Sequence, residues 1–143
     1  MSAYLDTSAV VAFLAKEAMA DDIARTLARV GKGGVFISLW CITEFSAALT
    51  FKLNNNTLTP EDRLQILTAF REAQEENLIV LDIDADDFER AAIYANQKDL
   101  RLRGGDALHL AVAARHNLPI LTLDRRMAGA AETLGLGLVR LVG

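Results

Sequence analysis

Short, uniformly apolar runs alternate along this chain with longer segments of helical periodicity. Ala3-Tyr4-Leu5, Val35-Phe36-Ile37, Leu78–Leu81, Ile120–Leu123 and Leu138–Val142 lack the in–out alternation of a surface strand and predict strands buried on both faces. Helices are predicted between them, over Ser8–Leu14, Ala20–Val30, Trp40–Leu53, Pro60–Glu76, Ala85–Lys98, Ala107–His116 and Arg125–Leu134. In the second of these, Ile23, Leu27 and Val30 share a face; in the fourth, Leu64, Leu67 and Phe70 are expected to point inward. The punctuation agrees. Gly31, Gly33 and Gly34 mark a loop, Asn54-Asn55-Asn56 ends a helix, and Pro119 opens a strand. Thr59 can cap the helix that follows, Pro60 suits its first position, and Glu61 and Asp62 favour the positive end of its dipole.

Strands separated by helices imply a parallel sheet covered on both faces. The expected architecture is a three-layer α/β/α sandwich around a central, mostly parallel sheet of about five strands. At 143 residues, with no repeat, linker or low-complexity segment, residues 1–143 read as one domain.

Composition narrows the class. Hydrophobic residues at 52% supply a real core, and 24% charged residues argue against disorder. The single cysteine, Cys41, can form no internal disulfide, and no Cys/His spacing suggests zinc. Neither a signal peptide nor a membrane span is legible, so the expected compartment is the cytoplasm. The net charge of −4 runs against nucleic-acid binding unless basic residues are concentrated locally.

The candidate chemistry is carboxylate. Two predicted strands finish directly in an aspartate, Asp6 and Asp124, and parallel strands deliver both to the same sheet edge, where ligands bind in such folds. Asp106 follows Gly104-Gly105 and is expected to open a helix near that edge. Each of these suits an N-cap equally well when taken singly. Glu44 differs. Its helical neighbours Trp40, Cys41, Ala47 and Ala48 are uncharged, so a partly buried carboxylate there needs compensation from elsewhere in the fold or a functional reason to exist. Carboxylates gathered at one edge repel one another, and a hard divalent cation removes that cost. Oxygen donors without a histidine cluster select Mg²⁺ or Mn²⁺ over zinc, and such an ion activates water for phosphodiester hydrolysis.

Leu5-Asp6-Thr7-Ser8-Ala9, Thr43-Glu44, Asp106-Ala107-Leu108-His109-Leu110-Ala111 and Leu121-Thr122-Leu123-Asp124 together resemble the PIN-domain nucleases, most nearly the VapC-type toxins of toxin–antitoxin pairs. The resemblance spans essentially the whole chain. It implies a sheet of about five parallel strands, Mg²⁺ or Mn²⁺ as cofactor and cleavage of RNA. It also implies an acidic quartet of Asp6, Glu44, Asp106 and Asp124, with the hydroxyls of Ser8 and Thr122 beside it. A VapB-like antitoxin follows from the same resemblance, and so does a homodimer, for which the helices' surplus of apolar residues over what the sheet must cover points to Ala9–Val30 and Trp40–Phe51 as contact surfaces. The glycine pair before Asp106 departs from the bulkier residues common in that motif.

Lys98, Arg101, Arg103 and Arg125, with Arg126, flank two of the acids and are candidates for contact with an RNA backbone. His109 is read as a packed, structural residue, and Trp40 and Phe45 as core. Three other readings compete. A catalytically silent PIN-like RNA-binding or assembly module would not need the full quartet. A phosphoacceptor receiver domain would want adjacent acids after the first strand, where only Asp6 stands. A dehalogenase-like phosphatase would need an aspartate where Ser8 is found.

Overall fold

The computed structural model describes residues 1–142. Strands β1 (Ala3–Leu5), β2 (Val35–Ser38), β3 (Leu78–Leu81) and β4 (Ile120–Leu121) form a wholly parallel sheet in the order β3-β2-β1-β4. The helices are α1 (Thr7–Leu14), α2 (Ala20–Val30), α3 (Leu39–Asn54), α4 (Pro60–Glu76), α5 (Ala85–Ala95), α6 (Gly104–Arg115) and α7 (Arg125–Thr133).

Alternation along the strands divides the core in two. Ala3 and Leu5 of β1, Ile37 of β2 and Leu121 of β4 pack against α1, α2, α3 and α4, where Phe45 and Phe70 lie 4.0 Å apart at ring centroids. Tyr4 and Ile120 face the other way and join the buried residues of α5, α6 and α7. Sheet between two helical layers is the sandwich expected from the apolar runs.

Among the described residues the sheet has four strands where about five are expected. β4 stops at Leu121 because side chains replace its ladder: the Leu123 N–H donates to Ser8 Oγ at 3.1 Å, and the Asp124 N–H to Thr122 Oγ1 at 3.0 Å. The run from Leu138 pairs with β4 only at an isolated bridge, Ile120 with Leu138. It then turns away to α2, where the Val142 N–H donates to the buried Thr26 Oγ1.

Three helical expectations are corrected. Leu64 is 67% exposed; the inward stripe of α4 runs through Ile66 and Phe70, and Leu64 lies about 200° around the helix from Ile66 at 100° per residue. α5 ends at Ala95, and Lys98–Leu100 forms a separate 3₁₀ turn closed by Arg101 in the left-handed region, φ 53°. α6 begins at Gly104, so Asp106 is third in its first turn instead of opening the helix. The start of α4 is as expected: Thr59 and Asp62 exchange side chain-to-backbone hydrogen bonds in a capping box, with Pro60 first in the helix.

Candidate metal and nuclease site

The chain leaves β1 towards β2 on one side, and β4 later docks on the other. The crevice beyond the carboxyl ends of β1 and β4 is therefore a topological switch point, where α/β sheets bind ligands. Leu5 pairs with Leu121, so Asp6 and Thr122 leave the sheet side by side.

Asp6 caps α1 and is 3% exposed. Its Oδ1 accepts from the Ala9 N–H at 3.1 Å and Ser8 Oγ at 2.7 Å, and its Oδ2 from Thr122 Oγ1 at 2.6 Å. Burial raises its pKa, and the Thr122 hydroxyl, His109, the Ser8 hydroxyl and the Ala9 amide only partly oppose it. Each carboxylate oxygen offers two lone pairs, so Oδ2 keeps one unused. Ser8 and Thr122 thus touch the first aspartate and also hold the loop that carries the last.

Asp124 caps α7: its Oδ1 accepts from the Arg126 N–H at 2.9 Å and the Met127 N–H at 3.2 Å. Its cap role and its place at the edge are compatible, since capping engages one oxygen. Asp106, half-buried, receives no hydrogen bond among the described residues. Burial raises its pKa, and the charges of Asp124, Glu44 and Asp6 raise it further against the opposing effect of His109. The four acids therefore share one electrostatic neighbourhood.

Glu44 found its compensation. Its Oε1 accepts from Thr7 Oγ1 at 2.6 Å and meets His109 Nε2 at 2.5 Å. Burial pushes its carboxyl up, but the His109 bond and charge and the Thr7 hydroxyl outweigh it, leaving the pKa lowered. Trp40 Nε1 lies buried on the Oε2 side without a hydrogen-bond partner among the described residues, and Trp40 too acts to lower the pKa. Thr7 and His109 were not singled out as partners by sequence reasoning. Thr7 follows Asp6 directly, and His109 stands one turn beyond Asp106, but contacts 37 and 65 residues away in sequence leave no local signal.

Lys98, Arg101, Arg103, Arg125 and Arg126 are exposed, and none forms an ion pair among the described residues. Among those residues no three His, Cys, Asp or Glu side chains stand close enough together to hold a metal ion as they are placed. The donor chemistry nonetheless fits a hard divalent cation: Asp106 has both oxygens free, Asp124 and Glu44 each keep one, and Asp6 keeps a lone pair.

Short parallel strands between two helical layers, with acids gathered where the first and last strands end, define an α/β sandwich with an acidic switch-point site. The chain belongs to the PIN domain family, whose model matches residues 3–132. Its fold is similar to VapBC2 from Rickettsia felis, bound to a DNA fragment from its promoter (TM-score 0.73, 18% identity, 99% of this chain and 100% of that one). It is also similar to VapC20 from Mycobacterium tuberculosis, a sarcin–ricin loop cleaving toxin (0.69, 22%, 90% and 95%). A third similar structure is FitAcB from Neisseria gonorrhoeae (0.66, 17%, 96% and 96%). A search of curated proteins gave no significant match. No helix among the described residues is long and apolar enough to cross a membrane.

Proposed function

We propose that this protein is a Mg²⁺- or Mn²⁺-dependent endoribonuclease and the toxin of a VapBC-like toxin–antitoxin pair. The observation that carries the reading is that β1 and β4 end side by side and deliver Asp6 and Asp124 to one sheet edge, while Asp106, acted on by the charges of Asp124, Glu44 and Asp6, has no hydrogen-bond donor among the described residues. Asp6, Asp106 and Asp124 would hold the cation, with Glu44 helping to hold it and to align the attacking water. Bound there, the cation supplies Lewis-acid activation of water and neutralises charge on the phosphodiester. The chain's own residues do the rest. Ser8 and Thr122 fix the Asp6 carboxylate, the α7 amides fix Asp124, and Glu44 keeps Oε2 for orienting water. Arg101, Arg103 and Arg125 offer unpaired cations for the RNA backbone.

Asp106→Asn is expected to abolish Mn²⁺-dependent cleavage of RNA while leaving the metal-free fold as stable or more so, because it removes one of several repelling charges. Sequencing the RNA ends produced by each protein checks this. Cleavage by the variant at the wild-type rate defeats the assignment, and wild-type binding of RNA without cleavage leaves the silent binding module.

The same reading includes a co-expressed antitoxin. A groove of about 440 Å³ between α1, α2 and α4, lined by Val10, Phe13, Leu14, Leu27 and Ala69 with Glu72 and Glu76 and by none of the four acids, suits an amphipathic antitoxin segment long enough to reach on to them. An arginine of that segment among the four carboxylates would displace cation or RNA. Inhibition surviving alanine at every basic residue of the partner defeats the arginine mechanism. The reading also includes a homodimer. Phe13 of α1 and Leu39 and Phe51 of α3 are 36%, 46% and 70% exposed, so the expected contact helices present apolar surface, as do Phe88 and Ile93 of α5. Sedimentation at high micromolar concentration should show twice the 15.6 kDa chain mass.

A further inference from the structure

A buried histidine whose two ring nitrogens are both engaged need not touch a functional group at all. His109 does. It is 2% exposed, and its Nδ1 lies 2.7 Å from the hydroxyl of Tyr4, which is fully buried and bonded in turn to the buried Ser38 Oγ at 3.0 Å. The two rings meet edge to face, with centroids 5.8 Å apart. Its other nitrogen is spent on Glu44 Oε1 at 2.5 Å, and since a carboxylate only accepts, Nε2 carries the proton of that bond. A turn of the ring would break the contact at Tyr4 and the one at Glu44 together. Thr7 Oγ1 donates to the same oxygen.

The opposite side of the carboxylate is shaped by an absence. A Cβ at residue 105 would stand 2.9 Å from Glu44 Oε2 and 2.9 Å from Trp40 Nε1, both closer than real Cβ contacts come. The departure at the glycine pair is therefore a notch that Oε2 occupies.

We propose that His109 is a positioning residue for the metal site, holding Oε1 of Glu44 with Thr7 while Gly105 leaves room for Oε2 to be the oxygen presented to the cation. The inference rests on the reading of Glu44 as part of that site. Partners of this kind orient ligating carboxylates, and their loss costs about 10–100-fold in metal affinity or activity.

The test is calorimetric titration of the metal-free full chain with Mn²⁺, alongside thermal unfolding. The proteins compared are wild type, Asp106→Asn, His109→Leu, His109→Gln, Thr7→Val and Gly105→Ala. His109→Leu should weaken Mn²⁺ binding about 10–100-fold, and His109→Gln, whose amide nitrogen can take the place of Nε2, should recover most of the loss. Thr7→Val and Gly105→Ala, which leave the histidine in place, should weaken binding in the same direction, and they keep the test decisive if His109→Leu does not fold. Lowered melting temperatures with wild-type Mn²⁺ affinity throughout this set would overturn the proposal and leave His109 a packing residue. Wild type binding Mn²⁺ no better than Asp106→Asn would instead defeat the metal-site reading, and the positioning role with it.

Discussion

Burial alone would raise the pKa of Asp87, which is 1% exposed, yet Arg115 reverses the sign. Nε and Nη2 of the arginine form a fork on its two oxygens at 2.8 and 2.9 Å, and the Asp84 N–H adds a third bond at 2.9 Å. The carboxyl is thereby held below the usual carboxylate range, tying the start of α5 to the end of α6. Asp87→Ala removes a cap and a charged fork, and Arg115, 29% exposed, is not left stranded. The expected cost is about 2–3 kcal/mol at pH 7. A depressed folded pKa means that this stability is complete above the unfolded value, about 3.9, and is lost as pH falls through the folded one. Urea unfolding should therefore show a constant gap between wild type and variant from pH 7 to about 4 that closes on further acidification. A gap unchanged at pH 2 would contradict the linkage.

Among the elements, α4 makes the clearest test of what packs. Phe70, 3% exposed against Phe45, should cost about 3–4 kcal/mol as Phe70→Ala. Leu64→Ala should change stability by less than about 0.5 kcal/mol, and denaturant midpoints distinguish the two. The sequence made Leu64 look inward because 64, 67 and 70 also fall three apart, and only the neighbouring helix decides between stripes. The other boundaries failed for related reasons. β4 lost two residues to hydroxyls that take over its ladder, and α6 gained three because glycines do not advertise a helix start. Layer order, parallel direction and the two strand-end aspartates were legible, since buried parallel strands read as plain apolar runs. The partners of Glu44 were not legible, because they are tertiary.

For the molecule as a whole, a net charge of −4 and the proposed RNA substrate are reconciled only if the unpaired arginines that flank Asp106 and Asp124 along the chain do the electrostatic work. Replacing Arg101 or Arg103 by alanine should weaken RNA binding across sequences. It should also flatten the slope of log affinity against log salt by about one for each phosphate left without its cation. An unchanged slope would move the RNA path elsewhere. The topology has a temporal consequence too. β1 lies between β2 and β4, and the hydroxyl that holds Asp6 Oδ2 arrives 116 residues later, at Thr122. During synthesis, a nascent chain can bury its first three strands and four helices while the crevice still lacks one wall. Until residue 124 clears the ribosome, Asp6 has no Thr122 beside it and Asp106 no Asp124. Until then the acidic site stays unassembled.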